Sequence, residues 1–349
     1  MVKNEEVLKK VINTIQKFNL IENNDRLVLG VSGGPDSICM LTILNEIRNQ
    51  KIINFDLVVA HINHGLRENA KIDEEYVKSF CENLGIECYV LHVDINKMAK
   101  EEKLGSEEAG RKARYEFFDE IMKKTSSNKI ATAHNLKDNA ETIIMNIIRG
   151  SGTKGLVGIE KMKDNKYIRP LIELSREDIE EFCEKNELNP RHDESNDENI
   201  YTRNKIRNVV LPYIEKEFNP NIVNTLSRLS EIIIEENEFI NRETEKAYKN
   251  MLLEEVFEKN IDEDVYNNEN LTKIILDNKK FKEYDSIIKK KVIFYSIEKI
   301  FGTTQGIEKI HVDDMVKLCE NNIGNKFLTP NKKTKILVKN SKIYIAKIW

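Results

Sequence analysis

Between an apolar run, Arg26-Leu-Val-Leu-Gly-Val31, and a helix-forming run, Ile38-Cys-Met-Leu-Thr-Ile-Leu44, the chain places Ser32-Gly33-Gly34-Pro35-Asp36-Ser37. The first run has the unbroken apolar character of a strand buried on both faces. A glycine-rich turn from such a strand into a helix lets backbone N–H groups close on a phosphate, where the helix dipole adds favourable field. Gly33 and Gly34 remove side chains that would block that approach. Ser32 and Ser37 supply hydroxyl donors, and Asp36 supplies a carboxylate able to hold Mg²⁺ or orient it. The turn is shorter than a Walker A loop and lacks its Gly-Lys-Ser/Thr ending, which excludes a P-loop NTPase. The bland alternative is an ordinary βα turn that contains glycines.

The remaining first half repeats the pattern. Strand-like stretches at 26–31, 55–61, 86–93 and 129–134 alternate with helical ones near 37–50, 68–84, 106–124 and 137–149. This predicts an α/β, doubly wound, mainly parallel sheet, with ligands gathered at the carboxyl ends of the strands. Three domains are expected. They are a catalytic unit over 1–218, a helical segment over 219–300 set off by Asn219-Pro220-Asn221, and a small β-containing unit over 301–349. Within these, 175–186, 200–217 and much of 221–260 read as helix, and 335–338 with 342–346 reads as a hairpin around Asn340-Ser341.

Charge and composition exclude several classes. A net charge of −4 leaves no global attraction to nucleic acid, so any RNA-binding surface is a local basic patch. No apolar run approaches the ~18 residues of a membrane span, and no apolar segment follows the charged N-terminus as in a secretory signal; cytoplasmic residence is expected. Cys39, Cys81, Cys88, Cys183 and Cys319 are scattered without a Cys-x-x-Cys pair, which argues for reduced thiols rather than a zinc or iron–sulfur site.

Several clusters then fall at predicted strand ends. His61 and His64 in Ala60-His-Ile-Asn-His-Gly-Leu-Arg67 suit a nucleotide contact better than a metal, since no third ligand is evident. Arg67 can reach an anion in the same crevice. Arg111 and Arg114, three apart behind Ser106 as helix cap, suit phosphates. His134 precedes Asp138 and Glu141, also three apart, whose carboxylates suit an amine or Mg²⁺. Gly150-Ser-Gly-Thr-Lys-Gly155 matches G-x-G-x-x-G but follows a helix, so it fails the context of a dinucleotide site. It is expected to be a flexible loop closing the crevice, with Arg149 and Lys154 as anion contacts. Arg203 and Arg207, four apart and followed downstream of Asp193-Glu-Ser-Asn196, form a further basic face. For each cluster the alternative is a solvated charged surface.

Taken in order, these motifs resemble the tRNA(Ile)-lysidine synthetases, members of the PP-loop ATP pyrophosphatase group with an adenine nucleotide alpha hydrolase-like fold. The resemblance rests on Ser32–Ser37, His61–Arg67, Glu108-Ala-Gly-Arg-Lys-Ala-Arg-Tyr115, His134 with Asp138 and Glu141, Arg149-Gly-Ser-Gly, Arg169-Pro-Leu and Arg203–Arg207. It covers residues 26 to about 220. It implies a ligase that adenylates the wobble cytidine of a CAU-anticodon tRNA(Ile) with ATP and joins free L-lysine to C2, releasing AMP and diphosphate. It further implies Asp36, Arg114, His134, Asp138 and Glu141 as catalytic. Ser32 to Ser37, His61 and Arg111 would bind ATP, Asp36 would place Mg²⁺, and Arg149, Arg203 and Arg207 would contact RNA. The general base is left among His134, Asp138 and Glu141, and a homodimer is one open alternative for the assembly. Lys137 stands where the family often has an acid, and many bacterial members continue through a further C-terminal domain. Two other classes remain as alternatives, a cytidine 2-thiolase and a non-catalytic ATP-binding module.

Overall fold

The computed structural model describes residues 2–63, 70–191, 201–258, 271–321 and 326–348. His64, Arg67 and the Asp193–Asn196 motif lie outside the described residues. The chain divides into two compact units, Met1–Ile233 and Ile234–Trp349.

The first unit is built on a six-stranded sheet of order β3-β2-β1-β4-β6-β5. Its strands are β1 (Arg26–Gly30), β2 (Asp56–Asn63), β3 (Cys88–His92), β4 (Lys129–Ala131), β5 (Met162–Lys163) and β6 (Tyr167–Ile168). All neighbours pair in parallel except β5 with β6. Alternation within the strands explains the two-sided cover. Leu27, Leu29, Leu57 and Val59 join the core on one face, packed with residues of helices α1 (Val2–Lys17), α2 (Pro35–Asn49), α3 (Ala70–Leu84) and α8 (Arg176–Lys185). Val28, Val58, Ala60 and Ile130 pack on the other face with Phe117, Phe118 and Ile121 of α5 (Ser106–Lys124). Side chains of period two thus put apolar groups on both faces, as a parallel sheet between helices requires. Gly30 is part of this packing: a Cβ there would lie 2.5 Å from the Phe118 ring.

The strand order fixes where a ligand fits. From β1 the chain winds outward through β2 and β3, then returns to lay β4 on the opposite side of β1. The carboxyl ends of β1 and β4 therefore border a topological switch point, the usual ligand crevice of an open α/β sheet. Between β3 and β4 run α4 (Ile95–Glu102) and α5, whose cap is Gly105, with Ser106 the first helical residue rather than the cap. After β4 comes α6 (Leu136–Ile148), opened by a capping box in which Asn135 and Asp138 exchange side-chain and backbone bonds. The Gly150–Gly155 motif leads into a short helix, α7 (Thr153–Leu156), in place of an unstructured loop.

The segment expected as helix over 200–217 is helical with one irregularity. α9 (Thr202–Lys205) passes into a π-turn over Ile206–Val210 and then α10 (Leu211–Glu217). Pro212 explains the widened turn, because its ring clashes with the carbonyl four residues back and it has no N–H to donate. Ile206, Leu211 and Leu226 pack on Ala140, Ile143 and Ile144 of α6. The long helix α11 (Ile222–Met251) begins directly after Asn219-Pro220-Asn221, and the division between units falls within it.

The second unit carries more β structure than the sequence suggests. β7 (Leu252–Phe257) replaces helix where the 221–260 reading expected it, and β8 (Leu271–Asp277) also forms. These pair into an antiparallel sheet of order β7-β8-β11-β10-β9, with β9 (Phe327–Leu328), β10 (Thr334–Lys339) and β11 (Lys342–Lys347). Helices α12 (Asn278–Glu283), α13 (Ser286–Phe301) and α14 (Lys309–Asn321) complete the unit. The expected hairpin is present, closed by Asn340 and Ser341 at φ 52° and 56°, the left-handed pair a tight two-residue hairpin turn uses. The 300/301 boundary expected from sequence falls inside α13. No helix among the described residues is long and apolar enough to cross a membrane.

Candidate active site at the switch point

The loop after β1 is shaped by its own serines. Ser37 Oγ donates to the Gly34 carbonyl at 3.0 Å and accepts from Ser32 N at 3.1 Å. The two hydroxyls lie 3.2 Å apart, and Gly34 N points at Ser32 Oγ at 3.4 Å. Gly33 adopts φ +93°, and a Cβ there would come within 3.3 Å of Val77. Pro35 opens α2 with no N–H of its own, and the Asp36 and Ser37 amides that follow lie in the turn that has no partner four residues back, before Ile38 N bonds the Gly34 carbonyl at 3.0 Å. His61 is buried and braces the same turn, its Nδ1 2.9 Å from the Val31 carbonyl. The carbonyl can only accept, so Nδ1 carries the proton of this bond, and burial pushes the imidazole pKa below its ordinary value.

Asp36, in the first turn of α2, is held from two directions. Asn135 Nδ2 donates to its Oδ1 at 2.9 Å, and Arg176 Nη1 donates to Oδ1 and Oδ2 at 3.2 and 3.0 Å. Burial raises the carboxyl pKa, the neighbouring Asp138 adds to this, and Arg176 opposes it. His134, three residues beyond the end of β4, meets Thr132 Oγ1 at 2.9 Å. Burial, reinforced by Arg203, Arg169 and Arg114, outweighs the attraction of Asp138 and pushes the imidazole down to about 4, so it is neutral at physiological pH.

Asp138 and Glu141 do share a face, and the structure brings Arg203 and Arg207 onto it. Arg203 Nε donates to Glu141 Oε2 and its Nη2 to Asp138 Oδ1, both at 3.0 Å. Arg207 Nε donates to Glu141 Oε1 at 2.6 Å, and its Nη2 reaches Asp138 Oδ1 at 2.7 Å and Glu141 Oε2 at 3.0 Å. Asp138 Oδ2 accepts from Asn135 N at 3.0 Å. Two acids and two arginines thus form one neutral quartet, with Glu141 fully buried.

Arg111 and Arg114 are placed differently. Both are exposed, and neither pairs with a carboxylate among the described residues; the Arg111 guanidinium sits 5.0 Å from the Tyr115 ring. Arg149 is exposed at the end of α6. Lys137 is half-buried in the first turn of α6, also without an ion pair among the described residues. Arg169 is buried, its Nη1 donating to the carbonyls of Glu160 and Tyr167. The sequence did not single out Asn135 or Arg176. Asn135 carries a cap signal before α6, whereas Arg176 lies 140 residues from Asp36 and nothing in its own neighbourhood points there.

Residues 3–214 match the family model described as a PP-loop domain. The chain is 43% identical over 326 residues to a tRNA(Ile)-lysidine synthase of Clostridium acetobutylicum, spanning 93% of this chain and 67% of that protein. It is 41% identical over 324 residues to that of Clostridioides difficile, again spanning 93% and 67%. Among solved structures, the U34-tRNA thiolase NcsA from Methanococcus maripaludis with its [4Fe-4S] cluster superposes with TM-score 0.56 at 24% identity, covering 67% of this chain and 80% of that one, a likeness of fold. Fold and crevice are those of a PP-loop ATP-binding enzyme. Within that class the chain belongs to the tRNA(Ile)-lysidine synthase family, and spans about two thirds of the length of the relatives it matches. The relatives support this reading of the sequence over thiolation or a non-catalytic module.

Proposed function

We propose that this crevice joins free L-lysine to C2 of the wobble cytidine in a CAU-anticodon tRNA(Ile), with ATP converted to AMP and diphosphate. The observation that carries the proposal is the serine-braced loop at the switch point, with Asp36 in the first turn of the helix it opens and two exposed arginines on α5 that pair with no carboxylate among the described residues. The C2 oxygen attacks the α-phosphate and diphosphate leaves; the ε-amine then attacks C2, loses a proton, and AMP leaves. The first-turn amides of α2 with Ser32 and Ser37 grip the departing diphosphate. Arg111 and Arg114 offset charge on ATP or the RNA backbone. Neutral His134 offers a nitrogen to receive the proton of the attacking amine. Unpaired anticodon bases can enter such a crevice without opening a helix.

Two assignments carry conditions set by geometry. Every oxygen of Asp138 and Glu141 already accepts a hydrogen bond, so a lysine ammonium at this pair shares its oxygens with Asn135, Arg203 and Arg207 or displaces one of their N–H groups. For Mg²⁺, no group of three or more His, Cys, Asp or Glu among the described residues forms a cage. What fits is an ion held mostly by ATP oxygens and water, with half-buried Asp36 as its one carboxylate. Bound so, it would neutralise phosphate charge. ATP, lysine and tRNA meet in the cytoplasm, and the reaction belongs there.

The test is formation of AMP by the purified chain with ATP, labelled lysine and a CAU-anticodon transcript. Label entering the tRNA, with AMP dependent on both lysine and transcript, is the expected result. Folded protein that forms no lysine-labelled tRNA overturns the proposal.

A further inference from the structure

Arg176 is the first helical residue of α8, where the box between Ser175 and Asp178 caps the helix. Its guanidinium spans two acids from opposite edges: Nη1 bonds both oxygens of Asp36, and Nε donates to Glu180 Oε1 at 2.6 Å. A guanidinium fixed at two edges cannot rotate freely, so it sets the plane of the Asp36 carboxylate, while Asn135 fixes one oxygen from the other side. Asp36 also faces Asp138 on α6 and Arg207 on the π-turn, neither of which hydrogen-bonds it. Arg176 is not buried filler. Its side chain is about one-third exposed, and it lines an open cavity of about 550 Å³ together with Pro35, Glu180, Cys183 and Arg191.

We infer that Arg176 is a positioning residue for the adenylation step, aiming the Asp36 carboxylate at the loop while Glu180 anchors the guanidinium. It rests on the reading of Asp36 as the acid of the ATP site. Nothing in the local sequence marks this role, because contact is made only when α8 packs against α2. The guanidinium acts through Asp36 and touches no reacting atom. Loss of Arg176 therefore lowers the rate of AMP formation at saturating ATP more than it raises the KM for ATP.

The open cavity provides the decisive measurement. In Arg176→Ala, the vacated volume joins the cavity, so free guanidinium at millimolar concentration can enter and partly restore kcat. Arg176→Lys retains the charge on a single donor nitrogen and should recover part of the rate. A kcat loss of tenfold or more, rescued by guanidinium but not by an equal concentration of sodium, is expected. Unchanged kcat in a folded Arg176→Ala, or a loss that neither guanidinium nor Arg176→Lys restores, overturns the inference. A thermodynamic cycle of Asp36→Asn and Arg176→Ala on unfolding free energy keeps it separable from the functional proposal. Non-additive effects show the coupling even if the wild-type chain forms no lysidine, and additive effects remove it.

Discussion

Arg207 Nε donates to Glu141 Oε1 at 2.6 Å, and Glu141 exposes none of its surface. An ionised carboxylate so placed is tolerable only while its arginines remain, since a buried charge without partners loses its solvation with no return. The contact therefore holds the π-turn at Ile206–Val210 against α6, the helix that begins beside His134.

Truncating one side of this quartet should destabilise the first unit strongly. Arg207→Ala leaves Glu141 with Arg203 alone, while Glu141→Ala leaves two arginines facing only Asp138. Breaking a buried pair in this way costs about 3–5 kcal/mol. The double variant Glu141→Ala/Arg207→Ala should lose less than the sum of the two single losses, because their effects share one network. Pulse proteolysis across a urea series reads both quantities, and additive losses would show that the quartet does not act as a unit.

RNA affinity should depend more on α5 than on the quartet. Arg203 and Arg207 have their charge matched by Asp138 and Glu141, whereas Arg111 and Arg114 have no carboxylate partner among the described residues. Each phosphate contact contributes roughly 0.7–0.9 to the slope of log affinity against log salt. Arg111→Ala or Arg114→Ala should flatten that slope for tRNA by about one contact. Arg203→Ala should leave it unchanged. Fluorescence titration at four salt concentrations distinguishes these outcomes, and a flattened slope for Arg203→Ala alone would move the RNA footprint to the quartet.

His134 gives the stability of the folded chain a defined acid limb. Its folded pKa of about 4 lies below the ordinary histidine value, so the unfolded chain binds a proton at a pH where the folded chain does not. This contribution is harmless above about pH 6.5. As pH falls from there towards 4, stability is lost, and below 4 the loss levels off. His134→Gln, which does not titrate, should lose less stability between pH 7 and pH 5 than the wild type. Parallel urea unfolding at the two pH values checks the difference; equal losses would place His134 in an unperturbed environment.

The parts of this site that sequence makes legible are those whose chemistry is local. The βα turn at Ser32–Ser37, the strand ends at His61 and His134, and the three-residue spacing of Asp138 and Glu141 each depend on neighbours a few positions away. So does the hairpin at Asn340-Ser341, whose left-handed turn is written in two residues. What stayed hidden is pairing between distant segments. Arg203 and Arg207 read as a free basic face because their partners lie more than 60 residues upstream. Arg176 was invisible for the same reason. β7 was masked by helical periodicity continuing from α11, and tertiary pairing with β8 overrides that local signal.

The Ser32–Ser37 loop sets its two glycines in contrasting conformations. Gly33 sits at φ +93°, where a side chain is strained, and its added Cβ would press on Val77 at 3.3 Å. Gly34 sits at φ −74°, which any residue adopts, and the nearest atom to its added Cβ is 3.6 Å away. Holding alanine in the Gly33 conformation costs on the order of 1–3 kcal/mol. The loop relieves this by moving off the shape that its serines brace, and a shift of about 1.4 kcal/mol in binding is tenfold in affinity. Gly33→Ala should therefore weaken ATP binding by about tenfold or more, while the unfolding midpoint falls only modestly. Gly34→Ala should keep the free fold intact and lose affinity only where its methyl group meets a phosphate. Calorimetric titration with ATP beside thermal unfolding separates the two. If Gly33→Ala bound ATP as the wild type does, the left-handed turn would not be what shapes this loop for phosphate.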